Sequence, residues 1–311
     1  MIDNSDFKLR IDEVQNIDFL AETPNYFNMT GEHFYNGETV LTGNLNGLKI
    51  TVSKNGVNIK DGSLCKWFLG DNFQTMGRSE IKRAIEKLSD TLHLPIDKAT
   101  VTRIDIAQNF IVKHPTPVYF NHLGSSYPLK RLEQPDGLYY TNPGGLLIFY
   151  DKVKEQKAKG QPIPELYTNR NTIRYESRYK KRLTNVFNVN QIKGETLYNE
   201  EFYMKMVNKW RSSYKAIKKL NDISLNFEAM KGKKDFDLMG RLSLINQTGG
   251  ELAMIEQINE AFKKNELTRR QADELKRATR EACQLKEGIM IQSDVITELD
   301  KKIEEACKFY R

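Results

Sequence analysis

The sequence predicts an α+β fold: an antiparallel sheet with flanking helices over residues 1–195, followed by a helical region over residues 196–311. Three observations predict it. Between Glu38 and Lys60 apolar and polar residues alternate and are punctuated by Asn-Gly pairs, the turn chemistry of tight hairpins. After Ser79, apolar residues recur at helical spacing (Ile81, Ala84, Ile85, Leu88, Leu92) until Leu94-Pro95 stops the helix. From about residue 198 onward proline is absent and strand-like alternation is scarce.

The remaining elements follow in order. ATVTRIDIAQNFIV, from Ala99, reads as a strand, and residues 113–136 as an irregular connection containing proline. DGLYYTNPGGLLIFYDK reads as a hairpin turning on Asn142-Pro143-Gly144-Gly145. Gly160, Pro162 and Pro164 mark the lysine-rich stretch after it as a loop, and NTIRYESRYKK is the next strand. In the helical region Thr268-Arg-Arg-Gln271 fits a capping box. Val295, Ile296, Leu299, Ile303 and Ala306 make one apolar helix face, which reads as core or partner-helix surface. The domain boundary is expected between residues 190 and 205.

Composition narrows the function classes. At 311 residues, 39% hydrophobic and 29% charged, the chain can bury a sizeable core, and it contains no apolar run of the ~18 residues a membrane span needs. No basic segment leads into an apolar stretch at the N-terminus, so a cytoplasmic protein is expected. Cys65, Cys283 and Cys307 lack CxxC spacing and read as ordinary thiols, neither a disulfide framework nor a zinc site. His33, His93, His114 and His122 form no His-x-His pair. The net charge of +7 favours a polyanionic partner, and the surplus is concentrated. Asp151 to Arg182 holds ten Lys or Arg against four Asp or Glu, a surplus of six directly after Tyr150.

Three strands carry the candidate chemistry, and their period of two sorts the side chains. In VTRIDIAQNF, Arg103, Asp105 and Asn109 share one face opposite Ile104, Ile106 and Phe110. In NTIRYESRYKK, Arg174, Glu176, Arg178 and Lys180 share a face opposite Ile173, Tyr175 and Tyr179. If these strands lie in one sheet, Asp105 and Glu176 can stand side by side, which requires a proton or a divalent cation between them. GLLIFYDKV ends in Tyr150, Asp151 and Lys152, but both of its faces look buried, and alternation does not assign Tyr150 to either. A tyrosine hydroxyl, with an ordinary pKa of about 10, needs activation to act as a nucleophile. A cation held by carboxylates can steady a phosphoryl oxygen, and a nearby lysine favours the phenolate. Attack on a DNA phosphodiester would store the broken bond as a phosphotyrosine, so the strand could be rejoined without a nucleotide cofactor.

VTRIDIAQNF, LLIFYDKVKE and IRYESRYKKR, in this order, resemble the motifs of rolling-circle replication initiators, in particular the replication initiation factor family of small plasmids, with filamentous-phage replication proteins as kin. The resemblance covers roughly residues 40–185. It implies that Asp105 and Glu176 hold Mg²⁺ or Mn²⁺, that Tyr150 is the nicking nucleophile assisted by Lys152, and that a 3′-hydroxyl is left to prime synthesis. Two positions depart from the family pattern. Asn109 stands where a second acid is common, and Arg178 where a second Glu is common, so the expected metal site carries less negative charge. DNA contacts are expected from Arg103, Lys154, Arg174, Arg178, Lys180, Lys181 and Arg182. The resemblance further implies a homodimer and a host helicase as partners. A conjugative or transposition nickase would use the same residues. A non-catalytic DNA-binding regulator would shift DNA without cutting it.

Overall fold

The computed structural model describes residues 1–14, 17–220, 222–223, 230, 232–284, 290–291 and 293–310. Its centre is a ten-stranded sheet, antiparallel throughout. In chain order the strands are β1 (Ile2–Arg10), β2 (Asn28–Tyr35), β3 (Glu38–Leu45), β4 (Leu48–Ser53), β5 (Gly56–Lys60), β6 (Thr100–Val112), β7 (Lys130–Gln134), β8 (Gly137–Asn142), β9 (Gly145–Asp151) and β10 (Asn171–Tyr179). Their spatial order is β2-β3-β4-β5-β1-β6-β10-β9-β8-β7. The helices are α1 (Phe19–Glu22), α2 (Leu64–Leu69), α3 (Arg78–Leu92), α4 (Thr116–Asn121), α5 (Lys152–Ala158), α6 (Leu183–Phe187), α7 (Glu200–Lys215), α8 (Lys233–Gln247), α9 (Glu251–Lys263), α10 (Arg269–Cys283) and α11 (Asp294–Phe309). The α+β architecture, the hairpins of residues 38–60, the helix after Ser79 and the Thr268 capping box are all as the sequence predicts.

Turn residues set the hairpins. Asn36-Gly37 and Asn46-Gly47 all have positive φ, which two-residue connections between twisted strands require. Gly56 is constrained more tightly. It pairs with Arg10 at φ +145°, and a β-carbon there would lie 2.1 Å from the carbonyl oxygen of Leu9. Gly56→Ala is therefore expected to destabilise the fold by upward of about 1 kcal/mol, because the new methyl forces β5 away from β1. Urea denaturation checks this; an unchanged midpoint would show that the strands part without penalty.

One face of the sheet is apolar. Phe149 stacks on Tyr175 at 4.5 Å between ring centroids, and Tyr175 lies 4.8 Å from Trp210 of α7, to whose carbonyl it donates a hydrogen bond. Leu299 and Ile303 of α11 and Ile81 and Leu88 of α3 are buried in the same cluster. The sheet's core thus includes helices from beyond residue 196. Leu242, Ile245 and Ala282 of α8 and α10 form a separate small cluster.

Three elements differ from the sequence reading. β1 occupies the centre of the sheet between β5 and β6 although it shows no clean alternation. Register shifts at Asp3 and between Asp6 and Phe7 break its period, and Asp3, Asn4 and Ser5 are buried polar residues facing other strands and α2. The connection 113–136 contains a short helix and the edge strand β7. Finally, the stretch after Tyr150 begins as helix α5 before its loop. Asp151 accepts from the backbone N–H of Lys154 at 2.8 Å and caps the helix, while Val153 and Gln156 turn inward.

Candidate active site

The opposite face of the sheet is polar at its centre, and register fixes what meets there. β10 lies between β6 and β9. Arg174 is opposite Asn109 on one side and Tyr150 on the other. Glu176 is opposite Ala107 and Ile148, and Arg178 is opposite Asp105 and Leu146. Directly paired residues project to the same side of a sheet. Tyr150 therefore shares the face of Asp105 and Glu176, which alternation alone left open.

Tyr150, Glu176 and Arg178 line one open cleft of about 500 Å³, together with Tyr139 of β8, Ile148, and Lys154, Glu155 and Lys159 of the α5 region. The Tyr150 ring is largely covered, but its hydroxyl makes no hydrogen bond to the described residues. Burial holds the phenol well above its ordinary pKa, and Arg174, its partner across the ladder, pulls the other way. Tyr139 donates to Asp136 at 2.7 Å, and burial followed by that bond pushes its pKa up to about 12.

Beneath the cleft runs a chain of alternating charges. Arg103 grips Asp105 with Nε at 2.8 Å and Nη2 at 2.5 Å. Arg178 places Nη2 2.7 Å from Glu176 Oε1 and Nε 3.3 Å from Asp105 Oδ2, so one guanidinium joins both acids. Arg174 is fully buried. Its Nη2 lies 2.9 Å from Asp3 Oδ2 and its Nε 3.8 Å from Glu176 Oε2, and it donates to the Asn72 carbonyl and to Asn109. Burial foremost, and the Glu176 charge, push Asp105 up to about 7 against the pull of Arg103 and Arg178.

A divalent cation at Asp105 and Glu176 does not fit these residues. A hard cation needs several oxygens free to approach it. Both Asp105 oxygens and Oε1 of Glu176 already face guanidinium groups. Asn109 also has its amide committed, donating to the carbonyls of Asn72 and Phe73 and accepting from Arg174. Among the described residues no three His, Cys, Asp or Glu side chains gather in a way that could hold a metal ion.

Other residues expected at the site fall in several places. Lys152 turns into the protein, only 1% exposed, with Nζ 2.9 Å from Glu155 and above the Phe73 ring. Burial, then the charge of Arg174, lower its pKa to about 8. Unfolded, the lysine keeps its proton to about 10.4. Stability is therefore expected to rise as pH climbs from about 8 towards that value, because only the unfolded chain holds the extra proton there. Lys152→Met should flatten that rise in a series of melting temperatures; a rise of the same slope in the variant would assign it to other groups.

Arg174, expected to touch DNA, is sealed away from any ligand, and its role is internal. Arg103 is nearly buried on Asp105. Lys154 and Lys180 are exposed, as are Lys181 and Arg182. The last two line a different cleft of about 500 Å³ with Lys209 and Tyr179, on the far side of the sheet near the β8–β9 turn. Sequence reasoning missed Asp3 and Asn72, and the only local signal was a polar run, Asp3-Asn4-Ser5, inside a strand.

The polar face thus sets a tyrosine beside paired acids and arginines on an antiparallel sheet. Residues 1–213 match a family model that describes the N-terminal part of a phage replication-associated protein. The chain belongs to that family of filamentous-phage rolling-circle replication proteins. No curated protein matches the chain closely. Among the described residues no helix is long and apolar enough to cross a membrane.

Proposed function

We propose that this protein starts rolling-circle replication by nicking one DNA strand at an origin through Tyr150. The observation that carries the reading is the shared cleft, where Tyr150, whose hydroxyl has no hydrogen-bond partner among the described residues, meets Arg178, Lys154 and Lys159. Oη of Tyr150 attacks the phosphorus, the bond from phosphorus to the 3′-oxygen breaks, and the 5′ end remains on the tyrosine. The phenol loses one proton and the departing 3′-oxygen gains one, so the exchange is neutral overall. The same bond energies allow the reverse step to rejoin the strand. Lys154 and Lys159 hold flanking phosphates, and binding should weaken steeply with salt.

In this reading Arg174 compensates for the burial that opposes the phenolate, because it is the cation opposite Tyr150. Lys152 maintains the packing between α5 and the loop at Phe73. The test is to incubate the protein with a 3′-labelled pool of random-sequence single-stranded oligonucleotides and run a denaturing gel. Label migrating with the polypeptide supports the reading. Label that never does so, while the pool is retarded on a native gel, would reduce the protein to a DNA-binding factor.

A further inference from the structure

The alternating charges beneath the cleft raise a question that the nicking chemistry leaves open: which cation meets the scissile phosphate. Arg178 is the candidate that geometry selects. It stands between Asp105 and Glu176, the place where two neighbouring carboxylates call for a positive charge. Its Nε and Nη2 face those acids, while Nη1 has no partner among the described residues. Its side chain is 26% exposed and lines the same cleft as Tyr150.

We propose that the Arg178 guanidinium takes the position of a divalent cation between Asp105 and Glu176 and holds the scissile phosphate, so that cleavage by Tyr150 needs no bound metal. The inference rests on the function proposed above.

Charge balance supports it. With Asp105 ionised, Asp3, Asp105 and Glu176 are matched by Arg103, Arg174 and Arg178, three against three. A divalent ion added to this neutral, largely buried set would leave two uncompensated charges or expel an arginine, and either is strongly unfavourable. Guanidinium also suits the task. Its planar fork can bind carboxylates along one edge and offer N–H donors to a phosphate along another, and it keeps its proton at any working pH. Asp105 and Glu176 then act as positioning residues that aim Arg178 at the cleft.

The test uses the full chain, with the labelled oligonucleotide pool and with Mn²⁺ alone as a metal probe. In excess EDTA the wild-type protein is expected to form its covalent adduct as fast as with Mn²⁺, and an electron paramagnetic resonance titration should show no saturable Mn²⁺ site. Arg178→Glu should lose roughly 10²–10³-fold in adduct formation in EDTA, the typical loss when one preorganised transition-state donor is removed. The same variant adds a carboxylate beside two others, so it should gain one Mn²⁺ site and recover activity with the metal. Should that variant fail to fold, Arg178→Lys replaces it; this change keeps the charge but loses the fork, and it should slow the adduct in EDTA without creating a metal site.

An adduct formed by wild type only with Mn²⁺, or one saturable Mn²⁺ site on wild type, overturns the inference and leaves the proposed function standing. No adduct in either condition overturns both.

Discussion

Tyr150→Phe is expected to give a protein that folds, binds single-stranded DNA with unchanged affinity and forms no covalent adduct. The substitution removes one oxygen, and that oxygen makes no hydrogen bond to the described residues, so nothing in the fold depends on it. The ring keeps its place in the wall of the cleft, opposite Arg174 in the ladder. Because the attacking atom itself is gone, the loss should be complete within the sensitivity of the gel, in contrast to the graded loss that follows removal of a stabilising group. A variant that still captured labelled DNA would move the nucleophile elsewhere. Tyr139 lines the same cleft and would be next in line.

Arg174→Met should have the largest effect on stability. The guanidinium is fully buried, and the acids facing it, Asp3 and Glu176, have side chains 10% and 5% exposed. Removing the cation leaves carboxylates in a low-dielectric interior with too few counter-charges, a defect that commonly costs about 3–5 kcal/mol. Asp3 suffers more, since Arg174 is its ion-pair partner at 2.9 Å, whereas Glu176 retains Arg178. Adding Asp3→Asn to the variant should therefore restore part of the loss, because neighbouring sites that share one interaction are not additive. Urea denaturation of the wild type, the single variants and the double variant measures the coupling. Strict additivity would mean that the pair contributes nothing to the fold.

Much of the sheet and part of its site can be read directly from the sequence, for local reasons. Asn-Gly turns announce β3 to β5, and Asn142 to Gly145 announce the β8–β9 turn. The period of two puts Asp105 with Asn109, and Glu176 with Arg174, on single faces before any pairing is known. Which residues stand opposite one another depends on register, and register depends on contacts between segments far apart. Asp3 meets Arg174 across 171 positions of chain, and no local pattern encodes that meeting.

The same limit explains the arginines. A sequence shows Arg174 and Arg178 as two cations of a basic stretch suited to phosphate. Folding separates them, burying one within the charge chain and leaving the other with a free edge in the cleft. Lys152 differs for a further reason. α5 starts immediately after the strand, and its first turn directs Lys152 towards Glu155 and Phe73 rather than along the line of β9. Gly160 and the prolines that follow do stop the helix, about two turns later than a loop reading assumes.

The central claim is that Tyr150 carries the DNA. Mass spectrometry of the adduct, after nuclease trimming and trypsin digestion, tests it most directly. Cleavage after Arg131 and Lys152 yields one peptide that contains Tyr139, Tyr140 and Tyr150, so fragmentation must assign the site. A nucleotide phosphate is expected on Tyr150, with Tyr139 and Tyr140 unmodified. A nucleotide on any other residue, in protein that cuts DNA, would contradict it.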